Sequence, residues 1–165
     1  MPARLQKFQA GKFYHLYQHS GDKQRIFFES DNYAYFTRLV RKYPFIFKVK
    51  VIANYLLLDH FHFLLRLQLP NNLSAFMRRL QQSYVQVIDK HNHRGSPLFY
   101  QRFKVRQITS PHAGILLCLY IHINPLKHFI VRDLKYWPYS SYFEFIGMRN
   151  NHLYLSGYRE KFLSE

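Results

Sequence analysis

Cysteine is almost missing from this chain. Its one thiol, Cys118, can form no internal disulfide, and a CxxC metal site is excluded with it. Long apolar runs are missing too. No stretch approaches the roughly 20 residues that span a bilayer, and the N-terminal MPARLQKFQAGK lacks a signal-peptide core. These absences point to a reducing home, a bacterial-type cytoplasm (alongside the nucleoid) or a nucleus. Acidic residues are the third scarcity: nine Asp and Glu stand against 24 Lys and Arg, for a net charge of +15. Such a field attracts polyanions, nucleic acid before an anionic membrane. There is no internal repeat, low-complexity tract or long linker, and 165 residues suit one domain with a sizeable core.

What the chain has in quantity is aromatic rings, with 14 Tyr, 16 Phe and one Trp. Cations interleaved with rings suit unpaired nucleic acid, where bases stack and phosphates pair with charge. Most of the rings are expected to fill the core.

Hydrophobic periodicity orders the elements. Residues 12–20, KFYHLYQHS, read as a first strand. Ser30 or Asp31 can cap a helix carrying Phe36, Leu39, Val40 and Tyr43 on one face, with Pro44 expected to end it. FIFKVKVIANYLLL reads as a long strand, and HFHFLLRLQL as its hairpin partner across Asp59. Asn71 or Asn72 caps a second helix with an apolar stripe from Leu73 to Ile88. A loop, DKHNHRGSPL, leads to a fourth strand in FYQRFKVRQI. Ser110 and Pro111 suit the N-cap and first position of a third helix, expected to stop near Asn124 ahead of Pro125. The order is β-α-β-β-α-β-α. It predicts an α+β fold: a ferredoxin-like split βαβ with a central antiparallel sheet and an added helix.

His60 and His62, in LLLDHFHFLLRLQLP, are the first chemical signal. On a strand they share a face with Leu64 and Arg66, while Phe61, Phe63, Leu65 and Leu67 face the core. Two imidazoles one pleat apart can reach one divalent ion. A bare HxH is equally what two half-buried, hydrogen-bonded histidines look like. The second signal is SPHAGILLCLYIHINPLKHF. Tyr120 and Asn124 lie at i and i+4 on one helix face. A tyrosine hydroxyl can attack phosphorus and an amide oxygen can ligate a metal; packing and helix capping are the plain alternatives.

HFH on a strand, followed by YIHINP on a helix, resembles the REP-associated tyrosine transposases, the single-tyrosine HUH nucleases related to small insertion-sequence transposases. FYHLYQHSGDKQRIFF resembles the family's first strand and turn, RGSPLFYQRFK its basic stretch, and WPYSSYFEFIG its Pro-Ser-Ser-Tyr signature. The ordered likeness runs from about residue 13 to 147, within a single domain spanning 1–165. Five positions depart from the family's usual residues: His19, the pair Ile88 and Asp89, His122 and Lys127.

The resemblance implies a metal-dependent nuclease and strand transferase acting on single-stranded DNA beside a hairpin or repeat. Tyr120 matches the nucleophile, and His60, His62 and Asn124 match the ligands of Mg²⁺ or Mn²⁺. A homodimer is compatible with it, since some members place the tyrosine helix in trans and others act as monomers. The expected DNA surface is the basic segment with Lys90, Arg94, Arg102, Lys104 and Arg106, joined more weakly by Lys48 and Lys50. HNH at 91–93 matches another nuclease class in spelling alone. The rival function is a nucleic-acid-binding module without catalysis. A two-histidine phosphoesterase is rejected, because none of the ten histidines has Ser or Thr two residues on.

Overall fold

The computed structural model describes residues 7–21, 24–92, 97–99 and 101–149. The elements are β1 (Phe13–His19), α1 (Ser30–Phe47), β2 (Val49–Leu56), β3 (His60–Leu67), α2 (Asn72–Asn92), β4 (Lys104–Ile108), α3 (Pro111–Lys127) and a short α4 (Tyr142–Phe145), with a 3-10 turn at Leu134–Tyr136. The strands form one antiparallel sheet in the order β2-β3-β1-β4. This is the expected α+β split βαβ: β1 and β2 are separated by β3.

The two faces of the sheet carry different layers. Phe61, Phe63, Leu65 and Leu67 project toward α1 and α2, where they meet Phe36, Val40, Phe76, Leu80 and Tyr84 in the main core. On the opposite face, Leu64 packs with Ala53, Tyr55, Cys118 and Ile121 under α3. The added helix therefore roofs the face that carries His60 and His62. A bulge in β2 between Val51 and Ala53 matters here. Val49 and Val51 face the main core, whereas Ala53 and Tyr55 face α3. One extra residue reverses the side-chain parity, and it puts Tyr55 beside His62.

Several boundaries differ from those that periodicity predicts. Pro44 does not end α1; it sits buried inside the helix, which runs on to Phe47. Its missing N–H costs the helix one bond to the preceding turn without ending it. The true stop is Lys48, whose left-handed φ of 53° lets its N–H bond to the Pro44 carbonyl. Residues 45–47 are consequently helical and β2 is the shorter segment Val49–Leu56. Pro125 likewise lies within α3, which reaches Lys127. The helix α2 extends through the expected loop to Asn92, so His91 is helical, and His93 lies outside the described residues. The fourth strand is only Lys104–Ile108. Residue 29, not Ser30 or Asp31, holds the N-cap position of α1, without a side-chain cap. Ser110 is the N-cap of α3 as expected, its side chain accepting from the Ala113 N–H, with Pro111 next.

Candidate active site

Strand register sets the site. One row crosses the sheet on the α3 side: Lys104, Tyr17, His62 and Tyr55, each paired with the next. Beside it His15 pairs with Arg106, and His19 with His60. The His62 ring is held between two phenols, 5.1 Å from Tyr17 and 4.9 Å from Tyr55 by centroid, both nearly parallel to it. The His60 and His62 rings lie 5.6 Å apart.

Each of these two histidines has its Nδ1 engaged. His60 Nδ1 lies 2.6 Å from Asp59 Oδ1, and His62 Nδ1 lies 2.8 Å from His15 Nε2. Among the described residues neither Nε2 has a hydrogen-bond partner. Both rings are buried, at 7% exposure each. Burial, and then the neighbouring His15, pushes the His62 pKa down to about 2. Burial lowers His60 too, against an opposing pull from Asp59. For His15, burial and then the Arg106 guanidinium push the pKa down to about 4. All three are neutral imidazoles at pH 7, the form that ligates metals.

From above, α3 brings Tyr120 to 6.1 Å from His62, centroid to centroid. Tyr120 is half-buried, and Lys127 Nζ stands 5.2 Å over its ring. The Tyr55 hydroxyl is buried with no hydrogen-bond partner among the described residues. Its pKa is raised well above 10, by burial first and by the adjacent Tyr120 second, so Tyr55 keeps its proton. One turn past Tyr120, Asn124 is fully buried. Its Nδ2 donates to the Tyr120 carbonyl at 3.3 Å, while its Oδ1 has no partner among the described residues. A buried amide oxygen without a donor costs about 1–3 kcal/mol. A cation would satisfy it. Neutral imidazoles on β3 and an orphaned amide oxygen on α3 are donors of the kinds a divalent ion takes. His19, Asp59 and His60 bring their ligand atoms within 4.8 Å of one another.

The basic residues expected on DNA divide. Lys104 and Arg106 are exposed on β4, and their register partners Tyr17 and His15 put them on the site's own face; Lys104 Nζ lies 5.8 Å over the Tyr17 ring. Lys50 is on that face but pairs with Arg66, four residues along β3 from His62, about 13 Å away at strand rise. Lys48 is displaced from the site to the end of α1, its Nζ 4.9 Å over Phe45. Arg102 is exposed just before β4. The Lys90 side chain and all of Arg94 lie outside the described residues. Phe103 is half-buried, one of the rings packed against the core.

Sequence reasoning missed His15, Tyr17, Tyr55 and Asp59 as members of this cluster. A signal existed for two of them. FYHLYQH places His15, Tyr17 and His19 at every second position, the same period that marks HFH.

No family model and no curated protein matches the sequence. Solved structures do match. The structure of the REP-associated tyrosine transposase bound to a REP hairpin is 18% identical, with a TM-score of 0.72 over 94% of this chain and 89% of that one. A candidate transposase from Deinococcus radiodurans R1 overlaps more loosely, 15% identical with a TM-score of 0.46 over 73% of this chain and 93% of that one. The chain has the fold of the REP-associated tyrosine transposase.

Proposed function

We propose that this chain is a single-tyrosine transposase of the HUH type, one domain that nicks and rejoins single-stranded DNA next to a hairpin or repeat. The observation that carries the proposal is the convergence at α3. Tyr120 stands over His62, and one turn away on the same helix Asn124 holds a buried oxygen with no partner among the described residues. Simple packing explains the rings but gives no reason to bury that oxygen unsatisfied. The shared fold with a transposase solved on a REP hairpin supports the reading, as does the net charge of +15.

In this mechanism the Tyr120 phenol oxygen attacks the scissile phosphorus. The bond to the 3′-oxygen breaks, leaving a 5′-phosphotyrosine and a free 3′-hydroxyl. The covalent link conserves the bond energy, so a second 3′-hydroxyl can reverse the step and join strands. An ordinary phenol has a pKa of about 10 and needs help to ionise. Lys127 Nζ stands over the Tyr120 ring, and Tyr55, which stays protonated, can donate to the attacking oxygen. His60, His62 and Asn124 would hold Mg²⁺ or Mn²⁺, with mixed nitrogen and oxygen ligation favouring Mn²⁺ slightly. A bound ion supplies polarisation of a phosphate oxygen and neutralises charge at the scissile group. Lys104 and Arg106 would track phosphates along β4 toward His62, with Arg102 beyond them.

The test is a cleavage assay on labelled single-stranded hairpins taken from the flanks of the chain's own gene. The proposal expects a protein–DNA adduct that needs Mn²⁺ or Mg²⁺ and a released 3′-hydroxyl end. Tight binding without an adduct over a broad hairpin panel would favour the non-catalytic binding module.

A further inference from the structure

We propose that His15 is the positioning partner of His62: its Nε2 accepts the His62 Nδ1–H and fixes the tautomer that leaves His62 Nε2 free for a divalent cation. This deepens the metal reading above and rests on it. The observation is the 2.8 Å contact between His15 Nε2 and His62 Nδ1. Between two neutral imidazoles, such a contact holds one hydrogen, so one ring donates and the other accepts. If His62 donates, its Nε2 carries a lone pair. If His15 donates, His62 Nε2 carries the hydrogen and cannot ligate. The contact therefore decides whether His62 serves as a ligand.

The surroundings leave few other ways to hold that ring. Tyr17 and Tyr55 clamp its two faces at 5.1 and 4.9 Å, which fixes the ring plane but not which nitrogen lies where. His15 reaches it diagonally from the neighbouring strand, because Tyr17, not His15, is the register partner of His62. His60 is served by the corresponding device, with a carboxylate in place of an imidazole: Asp59 Oδ1 lies 2.6 Å from its Nδ1. Outer partners of this kind orient metal-binding histidines and raise their basicity, and their loss costs about 10–100-fold in metal affinity. Asp59 is the stronger acceptor of the two, so His60 is the better donor and His62 the one that depends most on its neighbour. His15 touches neither DNA nor metal in this scheme; it acts through His62.

The experiment measures Mn²⁺ affinity of the DNA-free protein by titration calorimetry, with histidine ¹⁵N spectra of the metal-free protein alongside. In wild type, His62 should carry its hydrogen on Nδ1. His15→Leu, which cannot accept, should weaken Mn²⁺ binding about 10–100-fold and release His62 into mixed tautomers, with its circular dichroism spectrum unchanged. His15→Gln, whose amide oxygen can accept, should restore most of the affinity, a rescue that packing alone would not produce. If wild type takes up Mn²⁺ and His15→Leu does so equally well, the inference fails while the metal reading stands. It fails likewise if wild-type His62 carries its hydrogen on Nε2. If wild type takes up no Mn²⁺, the metal reading fails and the inference falls with it.

Discussion

Replacing Ser141 with Ala should loosen the helix that carries Tyr120. Residues 139–141 lie along the outer edge of β2: Ser140 bridges to Tyr55, the Leu56 N–H donates to the Tyr139 carbonyl at 3.0 Å, and the Ser141 N–H donates to the Asn54 carbonyl at 3.0 Å. The segment covers an edge that would otherwise present unpaired backbone groups. Its Ser141 hydroxyl also accepts from the Asn54 N–H at 2.9 Å and lies 2.8 Å from His122 Nε2, on α3 between Tyr120 and Asn124. Ser141 and His122 are 1% and 2% exposed, so water cannot replace the lost oxygen. Ser141→Ala orphans two buried groups, each at about 1–3 kcal/mol, or about 2–6 kcal/mol together. For a domain of this size that corresponds to a melting point lower by about 5–15 °C. Urea unfolding followed by circular dichroism and by Trp137 fluorescence measures it, and Ser141→Thr, which keeps the oxygen, should recover most of the loss. A loss under about 0.5 kcal/mol, the range of an ordinary surface change, would refute the idea that this hydroxyl fastens α3 to the sheet.

The other predictions bear on charge, metal and pH. His62→Ala should abolish DNA cleavage in Mn²⁺ and Mg²⁺ alike in the adduct assay; full activity would remove the metal site. Lys104→Ala with Arg106→Ala should flatten the salt dependence of hairpin binding by about 1.4 in log–log slope, at ~0.7 per phosphate contact on a single strand, whereas Lys48→Ala should leave the slope unchanged. His122 binds its proton at about 4 in the folded protein because it is buried, against 6.5 otherwise. Between those values the unfolded chain holds more protons. His122's share of the stability is therefore full above pH ~6.5 and falls by about 3 kcal/mol as the pH drops toward 4, and the lowered His15, His60 and His62 add to the loss in the same direction. Urea titrations of the metal-free protein at several pH values test this, and a flat profile over that window would contradict a buried neutral His122.

Period-two alternation made the most of this site legible. HFH on an apolar strand gives both the shared face of His60 and His62 and the core face of Phe61 and Phe63, and both agree with the packing. The i, i+4 spacing of Tyr120 and Asn124 needed only that α3 be one helix, and Ser110 with Pro111 marked its start. The two prolines misled for one reason. A proline takes a bond and space from the turn before it, which reads locally as a stop, yet both Pro44 and Pro125 stay inside their helices with buried rings. The β2 bulge had no local signature, yet it alone brings Tyr55 to His62. His15 escaped because its role is made by strand order. It reaches His62 only because β1 lies beside β3, a long-range pairing that no spacing in the chain records.

The most direct measurement is to trap the protein–DNA adduct, digest it, and identify by mass spectrometry which of the 14 tyrosines carries the nucleotide. The proposed mechanism predicts a 5′-phosphate linkage on Tyr120 alone, formed only with a divalent ion and absent in Tyr120→Phe, whose hairpin binding stays nearly intact. Linkage through any other tyrosine, or an undiminished adduct in that variant, would contradict it.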